Sequence, residues 1–197
     1  MFPLARHQEF GIPPKEVLRR AEGLQHRLAQ DEIDLVAFDW DYLDIAGCGA
    51  GTHPRGGEQP QVIEETDEYR IERDRFGRTT KLCKGAATIA LPLDFPVKTM
   101  EDWLKVKPMF TYADDRVDVD AARAAKEKQT QGALVRAGIP GGFDVARELM
   151  GEEVACLAYY EQPELMHDIL NTLTDTAVRV LEQVADVVAI DQLSVHE

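Results

Sequence analysis

Apolar residues recur every three or four positions across residues 15–30 (Val17, Leu18, Ala21, Leu24, Leu28), with charged residues between them. That spacing predicts an amphipathic helix, set off by the breaker pair Pro13-Pro14. Residues 33–45, beginning Ile33-Asp34-Leu35-Val36, read as a strand or extended segment, and 46–61 as an irregular loop rich in Gly with Thr52, His53, Pro54 and Pro60. The pattern then shortens to a period of two. Residues 62–66, 69–74 and 79–83 read as strands parted by Asp67-Glu68 and by Arg75-Phe76-Gly77-Arg78. Tyr69, Ile71 and Arg73 face one way and Arg70, Glu72 and Asp74 the other, which predicts an antiparallel meander near residues 62–83, solvated on one face. Gly77 supplies the positive φ that a hairpin turn often needs.

Thr99 opens the next helix as its cap, with Glu101 and Asp102 in the electropositive first turn. Residues 110–130, charged and rich in Ala, predict a helix or surface connection. From residue 132 the pattern becomes α/β. Residues 133–137 read as a strand, 138–142 (Gly-Ile-Pro-Gly-Gly) as a tight turn, and 143–150 as a helix stopped by Gly151. The apolar run 154–158 reads as a strand extension or a short packed segment. Pro163 suits a first helical position. Met166, Ile169, Leu170, Leu173, Ala177, Val180, Leu181 and Val184 then make the clearest helical stripe in the chain, ended by Asp186. Val187-Val188-Ala189-Ile190 reads as a parallel strand covered on both faces. Strand, two helices and strand compose a βαβ unit with a right-handed crossover.

Composition narrows the function. Of 197 residues, 44% are apolar and 29% charged, ordinary for a globular chain, and the net charge is −14. That balance disfavours a nucleic-acid surface and anionic lipid alike. No apolar run reaches the roughly 18–20 residues of a membrane span, and the Arg6-His7-Glu9 start does not fit a secretory signal. Cys48, Cys83 and Cys156 are widely spaced, so we expect reduced, mostly buried thiols in a cytoplasmic protein rather than a disulfide framework or zinc knuckle. Helices cover both faces of a parallel sheet, and none follows 187–190. The reading is therefore the first part of a longer (β/α) protein, an incomplete (β/α)8 barrel of the kind that needs about 250 residues. Residues 1–130 would hold the N-terminal helices and meander, and 131–197 the βαβ portion of one domain.

Three segments carry a resemblance. They are Asp67-Glu68-Tyr69 through Gly77 with Phe95-Pro96-Val97-Lys98-Thr99 and Glu101-Asp102-Trp103; Gly138 to Phe143 with Leu149 to Glu153; and Gln162-Pro163-Glu164-Leu165-Met166 through Ala185-Asp186-Val187-Val188 to His196-Glu197. Together they resemble the uroporphyrinogen decarboxylase superfamily, in a decarboxylase-like branch that also borders the corrinoid-dependent methyltransferases. The resemblance covers roughly residues 60–197. It implies a TIM-type barrel with its cleft at the strands' carboxyl ends, lyase chemistry on an acidic tetrapyrrole in porphyrin metabolism, and a final Glu197 opening a Glu-Asp pair. On the methyltransferase side it implies a small methylated substrate, a corrinoid protein as partner, and a zinc held by His-x-Cys and a later Cys, all falling after Glu197. No cofactor is expected within 1–197, and the assembly is left open, a homodimer being one option. The family's Arg-Gln-Ala-Gly-Arg-Tyr run has no counterpart here, and Arg147 stands where the family has a Tyr in the helix after the Gly-x-Pro turn.

Candidate catalytic residues are Asp191, His196 and Glu197, because they follow the expected strand 187–190 and such ends face a barrel's cleft. A carboxylate there can act as general acid or base, or orient a metal ligand. Candidate substrate-binding residues are Gly138, Pro140, Gly141 and Gly142, where backbone N–H groups at a helix start can approach an anion, with Arg136 and Arg147 flanking. Each has an ordinary alternative, respectively solvated loop residues, a plain strand-to-helix turn, and a surface helix Arg. His53 lines a mouth or does nothing. The acids from Glu64 to Asp74 lack calcium-loop spacing and read as the wet face of the meander. Trp40 and Trp103 read as core anchors. The alternative to an enzyme is a non-catalytic binding module or an inactive fragment.

Overall fold

The computed structural model describes residues 45–196. The expected helix 15–30, the extended stretch before Ile45, Trp40 and Glu197 lie outside the described residues. Within them the chain is mixed α/β, with a parallel and an antiparallel sheet. Strand β1 is Ile45–Gly47. The meander has four strands rather than three: β2 (Gln61–Glu65), β3 (Tyr69–Arg73), β4 (Thr79–Cys83) and β5 (Leu91–Asp94), each pairing antiparallel with the next. Gly77, at φ +87°, makes the β3–β4 turn.

Helix α1 (Met100–Val106) is capped by Thr99, whose hydroxyl accepts from the Asp102 amide. Two 3-10 turns, Lys107–Met109 and Asp114–Arg116, lead to α2 (Val119–Thr130), capped by Asp118. Strand β6 (Leu134–Pro140) takes in three of the five residues expected as a turn. Helix α3 (Gly142–Met150) ends at Gly151, whose φ of +83° turns the chain directly into α4 (Glu152–Glu161). The run 154–158 is thus helical, not strand. Ala155 and Ala158, three apart, share a buried face, and Glu152 and Glu153 suit a first turn. Helix α5 (Pro163–Ala185) follows the expected stripe, with Pro163 at its first position.

The last strand is displaced from its expected place. Val187 and Val188 bond back to the Val184 carbonyl, so the apolar run turns the corner after α5. Val188 is buried there, and the strand, β7, is Gln192–His196. Its order with the others is β1-β6-β7, all parallel. A closed barrel is not present among the described residues.

Two cores result. Trp103, Phe110, Leu149, Met150, Leu165 and Ile169 bring α1, α3, α4 and the front of α5 together. The other core packs α2 (Ala122, Ala125) and Val184 of α5 against Ala46, Val135 and Ala137. These strand residues alternate with Ile45, Gly47, Leu134, Arg136 and Gly138. Among the described residues the parallel sheet is therefore backed by helices on one face, while the other carries only the loop after β1 and leaves Arg136 exposed. Trp103 is fully buried, and its indole donates to Asp168 Oδ2 (2.6 Å), which also pairs with Lys107 Nζ (2.8 Å). The thiols depart from expectation: all three are free, but only Cys48 is buried.

Candidate functional site

Register places Arg136 beside Gly47, the last residue of β1, and beside Gln192 of β7. Residues 136, 138 and 140 share the bare face of β6. The loop after β1 folds over that face. Its Thr52 hydroxyl donates to the Gly138 carbonyl (2.5 Å). The His53 ring then lies on Gly138, with Nε2 only 3.2 Å from where a Cβ would stand. Gly138 is small because the imidazole occupies the space a side chain would take.

A buried cation holds this loop in place. Arg116 is 4% exposed, and its guanidinium donates to the carbonyls of Gly51 (2.9 Å), His53 (2.8 Å), Met109 (2.7 Å) and Thr111 (2.9 Å). No carboxylate pairs with it among the described residues. Burial first, and the positive Arg55 second, lower its pKa from the usual value, yet an arginine remains charged at neutral pH. Arg55 itself is neutralised by a two-pronged pair with Asp115 (3.1 Å for each prong).

Two hollows adjoin the loop. One, of ≈ 170 Å³, has an apolar floor of Phe76, Phe110, Pro140 and Leu149, with His53, Asp144 and Glu148 on its walls. The other, an open groove of ≈ 520 Å³, is lined by Gly47 to Gly51, Arg55, Arg116, Arg136 and Gly138. Asp115 there is held by Arg55, and Asp118 caps α2 through Ala121 N (2.9 Å). The groove's uncompensated charge is thus positive, carried by Arg116 and Arg136, whereas carboxylates wall the smaller hollow. Arg136 has no side-chain partner among the described residues. An anion fits the groove better than the hollow.

The expected site residues separate accordingly. Arg136 and Gly138 line the groove; Pro140 and Gly141 line the hollow. Gly142 has a packing role, since a Cβ there would come within 2.6 Å of Leu170. Asp144 in the first turn of α3 works against an anion at that helix start. Arg147 lines neither cavity. Its guanidinium is tied to Asp144, which raises its pKa.

Asp191 precedes its strand instead of following it, so it sits at the amino end of β7, one residue before the Gln192 that pairs with Arg136. Its Oδ2 accepts from Val135 N (2.8 Å) and Gln129 Nε2 (2.7 Å), and its own N–H donates to Val135 O (2.9 Å). These bonds, the Val135 amide foremost, hold its carboxyl below the usual range. The arrangement ties α2, β6 and β7 together and is structural. His196 ends β7 opposite Pro140. Glu197 lies outside the described residues. The sequence marks His53 only by the density of glycines around it, and marks Arg116 by nothing local.

No family model, no curated protein and no solved structure matches this chain. Among the described residues, no cluster of His, Cys, Asp and Glu is arranged to hold a metal, and no helix is long and apolar enough to cross a membrane.

Proposed function

We propose that the protein is a uroporphyrinogen decarboxylase-like enzyme, its parallel sheet a sector of a (β/α)8 barrel, and that the groove at Arg136 receives a carboxylate of an acidic tetrapyrrole. One observation supports the reading: a guanidinium with no side-chain partner among the described residues stands on the face of the parallel sheet away from the helices, beside the carboxyl end of β1. Parallel α/β proteins bind their ligands at that end. An exposed arginine beside a glycine-rich loop supplies both charge and close backbone approach. The sequence resemblance supplies the substrate class. A net charge of −14 makes the groove a local positive island in a repelling field, so binding should strengthen when moderate salt screens the long-range repulsion.

The test is an absorption titration of the chain with uroporphyrin, with a corrinoid as the competing ligand. Saturable porphyrin binding, weakened at least about tenfold by Arg136→Gln, is expected from the loss of one charge-assisted contact. A response to the corrinoid alone would move the assignment to methyl transfer. Silence toward both would end both enzymatic readings.

A further inference from the structure

His53 is the feature of this region that neither the fold nor the resemblance accounts for. Its backbone is fixed by the Arg116 bond to its carbonyl (2.8 Å), and the neighbouring Thr52 hydroxyl ties the loop to the Gly138 carbonyl (2.5 Å). Its ring is exposed, lies on Gly138, and has no hydrogen-bond partner among the described residues. Arg116, buried with no carboxylate partner among the described residues, anchors a loop whose imidazole leaves its nitrogens to solvent or ligand. Gly138, beneath the ring, also lines the groove that holds Arg136, while His53 lines the smaller hollow. The imidazole therefore stands at the junction between the anion groove and an apolar floor.

Resting on the function proposed above, we infer that His53 is a catalytic residue: the acid that protonates the substrate carbon as carbon dioxide departs. The balance is simple. The bond between the side-chain carbon and its carboxylate breaks, its electron pair stays on the carbon, and the imidazolium N–H proton moves to that carbon. Neutral His53 regains its proton from water, since the ring is open to solvent. An imidazole carries and releases protons near neutral pH, and a positioned acid of this kind typically contributes 10²–10⁴-fold. The charged groups around it have other occupations or the right sign. Asp144 is held by Arg147 and Glu148 by Arg78 across the smaller hollow, Arg55 is held by Asp115, and Arg116 is spent on carbonyls. Arg136 remains to anchor the substrate acid.

The experiment compares the full chain with His53→Gln and His53→Ala, using uroporphyrin for binding and uroporphyrinogen for turnover. His53→Gln should bind the porphyrin within about threefold of the parent yet lose roughly 10²-fold or more in turnover. Added imidazole should restore part of the turnover to His53→Ala but not to His53→Gln, whose side chain fills the space. Turnover of His53→Gln within twofold of the parent overturns the inference, as does a parent protein that binds porphyrin without releasing carbon dioxide; in both cases the anion groove stands. A parent that binds no porphyrin removes the groove reading and this inference together.

Discussion

At the amino end of the parallel sheet, Asp191 exchanges bonds with both backbone groups of Val135 and takes a third from Gln129, leaving little for a ligand. One residue further along β6, on the face away from the helices, the Arg136 side chain has no partner among the described residues, and neither has the His53 ring that lies over Gly138. The difference shows how stability and binding are divided within one small sheet. A carboxylate that closes a corner is satisfied by the chain itself. A guanidinium and an imidazole kept in solvent cost little while water hydrates them, and they stay available to a ligand. Conserving the fold and serving a ligand thus fall to neighbouring residues of the same strand.

The sharpest way to break that comparison is to remove the cation beneath the loop. Arg116→Ala takes the guanidinium from four carbonyls, of which only that of Met109 keeps another donor among the described residues, the Arg55 amide, and should cost about 3–5 kcal/mol in chemical denaturation, abolishing ligand binding with it. A loss below about 1 kcal/mol would mean that water replaces the guanidinium at no penalty. Next comes Asp168, a satisfied carboxylate far from the groove. Asp168→Ala strands the buried Trp103 N–H and should cost about 1–3 kcal/mol while leaving porphyrin binding intact. The Lys107 bond, followed by that of Trp103, holds the Asp168 carboxyl below its usual pKa. Its contribution is therefore full above the unfolded value of about 4 and drains away as the pH falls through the folded one. A pH series of denaturation midpoints that shows no extra acid sensitivity in the parent relative to Asp168→Ala would contradict this.

Gly138→Ala sharpens the comparison from the other side. The new methyl displaces the His53 ring by a few tenths of an ångström, so stability should change by less than about 1 kcal/mol, while turnover falls roughly tenfold. The smallest effect belongs to Asp191→Asn. It should lower the thermal midpoint slightly and narrow the acid range of the fold, since this depressed carboxyl also stabilises above its unfolded pKa and ceases to as the pH falls. Porphyrin binding should not respond. Loss of binding in Asp191→Asn with an unchanged midpoint would return this residue to the site.

Local pattern explains which parts were readable. Strands expected at 62–66, 69–74 and 79–83 lie within one residue of those observed, because local turn residues such as Gly77 mark their ends, whereas the expected single wet face does not hold for β2, which is exposed at all five positions. Helix α5 and the Thr99 cap were legible locally too, as each is written in residues three or four apart. The run 187–190 misled because apolarity marks burial, and these valines are buried at a corner. The true strand, Gln192–His196, is exposed from Gln192 to Val195, the apolar Leu193 and Val195 included, so burial leaves no mark on its sequence. Placing Asp191 at a cleft depended on that error. His53 was the hardest to weigh. Its meaning comes from Gly138 and Arg116, both more than sixty residues away, and a lone loop histidine announces neither.

Arg116 has one more consequence. It is a single knot through which the chain around Gly51–His53 and the chain around Met109–Thr111 share one proton donor group. Neither stretch can open without undoing the other, so in native-state hydrogen exchange the amides of Gly51 and Arg55, which donate to Arg116 O and Met109 O, should open with those of Phe110 and Thr111 as one cooperative unit. The loop over the groove would then be timed by the body of the protein, and ligand would meet a platform that is set before it arrives.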